Sequence, residues 1–125
     1  MMAAKILIVD DEQSIVRLVE VTLSKKGYDT ITATDGREAL AKVDSDHPDL
    51  VIMDVMMPHI DGFEAIKILK EKEATRDIPV IMLTAKRHDA DLIHGLEAGA
   101  VSYLTKPFAP NELVTIVERI LAERD

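Results

Sequence analysis

Leu50-Val51-Ile52-Met53-Asp54 is an apolar run that ends in a single carboxylate, and Pro58 and then Asp61-Gly62 turn the chain soon after it. A short continuous apolar run closed by turn residues reads as a buried, parallel strand. Asp54 is the first charge at its carboxyl end, where open α/β sheets place their ligands. Alone, Asp54 could equally be a helix cap or a solvated loop acid. Other apolar runs end in a matching way. Lys5-Ile6-Leu7-Ile8-Val9 runs into Asp10-Asp11-Glu12, Ile78 to Leu83 into Thr84, and Val101 to Leu104 into Thr105-Lys106-Pro107.

Carboxylates, a hydroxyl and an ammonium at neighbouring strand ends suit phosphoryl chemistry. Clustered carboxylates repel one another unless a cation is present. Oxygen donors with positions left for water and phosphate oxygens point to Mg2+ rather than a calcium cage. A carboxylate can itself accept a phosphoryl group. Mg2+ and Lys106 could neutralise the equatorial oxygens of that group. Asp61-Gly62 does not supply an EF-hand spacing, and the five glycines are too scattered for a phosphate-binding loop.

The elements that must position these residues follow from periodicity. Asp10-Asp11-Glu12 leads into a helix with Ile15, Leu18, Val19 and Leu23 inward, closed by Gly27. Tyr28 to Ala33 reads as a strand nearer the sheet edge. Asp35 and Glu38 form a capping-box-like pair at the start of a second helix with Ala39, Leu40 and Val43 inward, broken at His47-Pro48. A third helix is predicted over Gly62–Glu71 with Phe63, Ile66 and Leu69 inward, and a polar loop over Glu73 to Asp77 follows it. The fourth helix is predicted over Asp89–Ala98, stopping at Gly99. Pro110 fits the first turn of a fifth, carrying Leu113, Ile116, Val117, Ile120 and Leu121. Strands alternating with helices must be parallel, and right-handed crossovers put helices on both faces. The fold class predicted is α/β: a doubly wound, five-stranded parallel sheet of order 2-1-3-4-5, flavodoxin-like (βα)5. That order sets the first and third strands side by side at the switch point, where Asp10, Asp11 and Asp54 converge, with Thr84 and Lys106 approaching from the other side.

Composition narrows the classes further. With 125 residues, 47% hydrophobic and 30% charged, the chain is expected to be one globular domain spanning residues 1–125, with no effector domain. A formal net charge of −8 argues against direct nucleic-acid binding. No apolar run approaches the ~20 residues of a membrane span, so no membrane contact is expected. The absence of cysteine excludes disulfides and thiolate chemistry. With no export signal evident, a cytoplasmic location is expected. His47, His59, His88 and His94 lack ligand spacing and read as surface residues, His59 being the one near the site.

Together, Asp10-Asp11, Met53-Asp54-Val55-Met56-Met57-Pro58 with Asp61-Gly62, Thr84-Ala85 and Lys106-Pro107-Phe108 closely resemble the receiver domain of two-component response regulators. The resemblance covers essentially the whole chain. It implies that Asp54 accepts a phosphoryl group from a phosphohistidine on a sensor histidine kinase or phosphotransfer protein. It implies that Mg2+ is held by Asp10, Asp11, Asp54 and the backbone carbonyl of Met56. Lys106 would bind a phosphoryl oxygen, the Thr84 hydroxyl would be drawn towards it, and Tyr103 would be the switch aromatic that turns inward. A cis Lys106-Pro107 peptide is implied as well. The protein would then be no conventional enzyme, catalysing only its own phosphorylation and dephosphorylation. The residues also admit blander roles: Asp11 or Glu12 as a cap of the first helix, Thr84 as a cap of the fourth, Lys106 as a solvated lysine, Tyr103 as a half-buried core aromatic.

Position 56 carries a kinetic expectation. In the family it influences how water reaches the acyl phosphate, and Met56 offers that water no hydrogen bond. The phosphoryl group should therefore decay more slowly than in Met56→Asn, as followed by loss of label from phosphorylated protein. The segment from Gly95 to Ala100 with Tyr103-Leu104-Thr105-Lys106-Pro107-Phe108 resembles receivers attached to winged-helix DNA-binding domains, which often pair through the fourth helix, fifth strand and fifth helix. The acidic pair common before the switch aromatic is here Val101-Ser102, so a monomer or a weak phosphorylation-dependent dimer is expected. Output would pass through that surface to a downstream protein target or effector domain. The alternative is a phosphorylation-independent interaction module of the same fold. A phosphatase is disfavoured because a Met, not a carboxylate, stands two residues after Asp54.

Overall fold

The computed structural model describes residues 3–55, 57, 60–85 and 89–123. Its elements are β1 (Lys5–Val9), α1 (Gln13–Ser24), β2 (Asp29–Ala33), α2 (Gly36–Asp46), β3 (Leu50–Asp54), α3 (Gly62–Glu71), β4 (Val80–Thr84), α4 (Asp89–Ala98), β5 (Ser102–Thr105) and α5 (Pro110–Glu123). All four strand pairings are parallel, in the order β2-β1-β3-β4-β5. The doubly wound architecture read from the sequence is the one observed.

Every residue of β3 and β4 is buried, as a strand covered on both faces requires. Alternation along the strands divides the core in two. Ile6, Ile8, Leu50, Ile52, Ile81 and Leu83 pack with Val16, Val19 and Leu23 of α1 and Leu113 and Val117 of α5. Leu7, Val9, Val51, Met53, Val80 and Met82 face the other way, onto Ala39 and Val43 of α2 and Ala65, Ile66 and Leu69 of α3. The sheet is thus clamped from both sides, and its central strand ends are fixed in register.

Several local expectations are corrected by backbone chemistry. Leu18 was expected on the inner stripe of α1 but is 39% exposed. Val16, Val19 and Leu23 form that stripe, and Leu18 lies about 100° round from Val19. Tyr28 lies in the turn between α1 and β2 rather than in β2, because its N–H donates back to Leu23 O at 3.2 Å after Gly27 turns the chain at φ 91°. β4 starts at Val80 rather than Ile78, since the Ile78 N–H is spent on Thr75 O (3.1 Å) and Pro79 has none to give. The loop between α3 and β4 is polar but anchored: Thr75 is buried and its hydroxyl donates to Leu69 O at 2.6 Å. The expected cap at Asp35 holds, and Asp61, read from the sequence only as a turn residue, caps α3 as well. Asp35 accepts from Glu38 N at 2.8 Å, and Asp61 accepts from Glu64 N at 2.9 Å.

Candidate functional site

The site is assembled at the carboxyl ends of β1, β3 and β4 and in the segment after β5. Asp10 follows β1 directly, and its N–H donates to Ala33 O at 3.2 Å, continuing the ladder with β2. β1 pairs with β3, with Val9 opposite Met53, so Asp10 and Asp54 leave adjacent strands side by side. Carboxylate oxygens of Asp10, Asp11 and Asp54 lie within 4.8 Å of one another. Asp10 is fully buried, Asp54 is 4% exposed, and Asp11 stands at the open mouth.

Lys106 closes the cluster. Its backbone N–H donates to Thr84 O at 2.8 Å, which ties the segment after β5 to the end of β4, and the Lys106-Pro107 peptide is cis. Its ammonium lies 2.8 Å from Asp10 Oδ2, 3.3 Å from Glu12 Oε1 and 3.4 Å from Asp54 Oδ2. Burial works against the charged form of Lys106, but the close contact with Asp10, the charges of Asp54 and Asp10 and the hydrogen bond to Glu12 outweigh it and hold its pKa above the usual lysine value. Thr84 is buried at the end of β4, one step beyond Leu83, the residue opposite Asp54.

The donor set fits a hard divalent cation. Among the described residues, the carboxylates of Asp10, Asp11 and Asp54 crowd together and the Lys106 ammonium reaches two of them, Asp10 and Asp54. Asp10 Oδ2 is buried, and among the described residues its partner is the Lys106 ammonium at 2.8 Å, an ion pair without good hydrogen-bond direction. A hard cation with an incomplete protein shell satisfies such oxygens. The bend after β3 is also built for close approach. Gly62 N–H donates to Val55 O at 3.1 Å, and a Cβ at Gly62 would lie 2.6 Å from Val55 Cα.

The structure therefore brings together Asp10, Asp11, Asp54 and Lys106, with Thr84 at the adjoining strand end. Tyr103 lies on β5 opposite Met82 and is 39% exposed, so it is not a core aromatic here. Met56, Pro58, His59 and His88 lie outside the described residues. His94 is on the surface, against the ring of Phe63 at 4.4 Å. Glu12 is the site residue for which sequence reasoning saw only a capping role. Its signal was its place as the third acid of the run Asp10-Asp11-Glu12.

Comparison with known proteins agrees with this geometry. Residues 6–118 match the family model "Response regulator receiver domain". The alkaline phosphatase synthesis transcriptional regulatory protein PhoP of Bacillus subtilis (strain 168) is 49% identical over 120 residues, 96% of this chain and 49% of that protein. The phosphate regulon transcriptional regulatory protein PhoB of Klebsiella pneumoniae is 42% identical over 120 residues, 96% of this chain and 52% of that protein. The chain thus spans about half the length of the curated relatives it matches. Among solved structures, a putative response regulator from Chloroflexus aurantiacus J-10-fl superposes with a TM-score of 0.93 at 40% identity, covering 97% of this chain and 99% of that one. Chemotaxis protein CheY4 of Vibrio cholerae gives a TM-score of 0.89 at 40% identity, covering 94% of this chain and 98% of that one.

Proposed function

We propose a phosphorylation switch, from the premise that this chain belongs to the response regulator receiver domain family. The observation that carries the reading is the placement of Asp54, held between the Asp10 and Asp11 carboxylates and the Lys106 ammonium at the end of a fully buried strand. Asp54 is the phosphoacceptor. One of its carboxylate oxygens attacks the phosphorus of a phosphohistidine, the P–N bond breaks, and the imidazole keeps the electron pair and takes up a proton. The donor is a sensor histidine kinase or a phosphotransfer protein.

Asp10, Asp11, Asp54 and the Met56 carbonyl would hold Mg2+, which when bound neutralises charge on the phosphoryl oxygens. Lys106 is long enough to turn its ammonium from Asp10 and Asp54 to a phosphoryl oxygen and is charged throughout the physiological range. The Thr84 hydroxyl donates to another. The movement of Thr84 gives Tyr103 room to turn inward, which biases the surface made by α4, β5 and α5 between two states. A downstream protein, or an effector domain, binds one of them better. The chain acts as one receiver unit in the cytoplasm and catalyses only its own phosphorylation and dephosphorylation.

Incubation with Mg2+ and acetyl phosphate, followed by intact mass measurement, tests the reading. One added phosphoryl group is expected, dependent on Mg2+ and absent from Asp54→Ala. If none appears, binding of beryllofluoride, a stable phosphoryl mimic, separates a short-lived acyl phosphate from an interaction module that does not use phosphate.

A further inference from the structure

Glu12 occupies the N-cap position of α1, yet its side chain makes no capping hydrogen bond. Short Asp, Asn and Ser side chains cap best, and glutamate is a methylene longer than Asp. Its backbone is held on both sides: Glu12 N–H donates to Asp10 Oδ1 at 2.9 Å, and Glu12 O accepts from Ile15 and Val16, each at 3.1 Å. The pinned backbone delivers the carboxylate across the mouth of the cluster to Lys106 Nζ, 94 positions away in sequence, at 3.3 Å. Glu12 is 59% exposed at its side chain, whereas that of Lys106 is only 12% exposed. The lysine is therefore shared between buried partners, Asp10 and Asp54, and one partner at the solvent edge.

We propose that Glu12 is a positioning residue that draws the Lys106 ammonium towards the mouth while no phosphoryl group is present. This rests on the phosphoryl-switch reading of the same site and adds a residue to it. It has two consequences of opposite sign. A divalent cation entering the cluster must share Asp10 and Asp54 with Lys106, and Glu12 offers that ammonium another partner, which favours the cation. An incoming phosphoryl group needs Lys106 for itself, so Glu12 competes with it. Loss of general stability would not weaken one step and speed the other.

The test compares wild type, Glu12→Gln and Glu12→Asp. Aspartate keeps the charge and loses the reach. Calorimetric titration with Mg2+ alone should show weaker binding in both variants. At saturating Mg2+ the maximal rate of phosphorylation by acetyl phosphate should rise in both, by at most about fivefold, the range of an exposed ion pair. If Glu12→Asp matches wild type while Glu12→Gln differs, charge at the mouth is responsible and the contact with Lys106 is not. Equal Mg2+ affinities in all three proteins also overturn the proposal. Failure of the wild type to take up either a phosphoryl group or beryllofluoride overturns the switch reading instead, and the calorimetry still decides whether Glu12 holds Lys106.

Discussion

Lys106→Met is expected to destabilise the protein by about 3 kcal/mol in the absence of divalent cations, the scale for removing one partner of a buried ion pair. Asp10 is fully buried and Asp54 nearly so, and both keep their positions because the strands that carry them are packed on both faces. Methionine fills the lysine stem's space but leaves Asp10 Oδ2 without the charge now 2.8 Å from it. The thermal midpoint should fall by about 10 °C for a domain of this size. Mg2+ should restore more stability to the variant than to wild type, since it is the alternative counter-charge. Phosphorylation of Asp54 should drop by at least about a hundredfold, the scale for losing a preorganised charge on a transferring group. Equal midpoints for wild type and Lys106→Met without Mg2+ would show that Lys106 does not neutralise the cluster.

The same ion cluster sets a pH dependence. The pKa of Lys106 is raised in the folded protein, so its pairing contributes fully below its ordinary value of 10.5 and is lost as pH rises through the higher folded value. Wild type should therefore lose stability in strongly alkaline solution by a step that Lys106→Met lacks.

What the sequence made legible follows the strength of each local signal. β3 and β4 carry unbroken apolar runs that only a doubly covered sheet can bury, so their placement left little freedom. α3 and α4 begin and end where expected because Asp61 caps one and Gly99, at φ 125°, closes the other. The residues misread are those whose fate depends on a competing partner. Tyr28 looks like strand, but its N–H is taken by the end of α1. Ile78 looks like strand, but its N–H is taken by Thr75. Leu18 is as apolar as Leu23, and only the rotation of the helix decides that one faces solvent. Glu12 is the instructive case at the site. A sequence shows three consecutive acids, and nothing local says that the third reaches a lysine supplied by a distant strand end. Strand ends were readable because alternation and turn residues mark them; side-chain reach between them was not, because it is a property of the assembled sheet.

Gly62→Ala is expected to impair stability and phosphorylation together, although residue 62 carries no functional group. Its Cβ would lie against the Asp54 carbonyl oxygen and 2.6 Å from Val55 Cα. Those are backbone atoms, which cannot rotate away as a side-chain tip can. Val55 is held in turn by its N–H to Leu83 O at 3.1 Å and by its carbonyl, which accepts from Gly62 N at 3.1 Å. Relief must come from moving α3 outward or bending the end of β3. The first costs packing at Ala65 and Ile66, and the second shifts Asp54 against Asp10 and Lys106. Overpacking of this kind costs about 1–3 kcal/mol, and more where backbone must move. Mg2+ affinity and the phosphorylation rate, measured well below the midpoint so that the protein stays folded, should both fall. Leu69→Ala is the control. Leu69 is 1% exposed on the same helix, two turns further from the site, and its truncation should cost about 2–5 kcal/mol. If Leu69→Ala is the less stable variant yet keeps wild-type phosphorylation while Gly62→Ala does not, the loss at Gly62 is one of geometry. If the two variants lose phosphorylation in proportion to stability, the close approach of α3 to Asp54 has no functional role beyond packing.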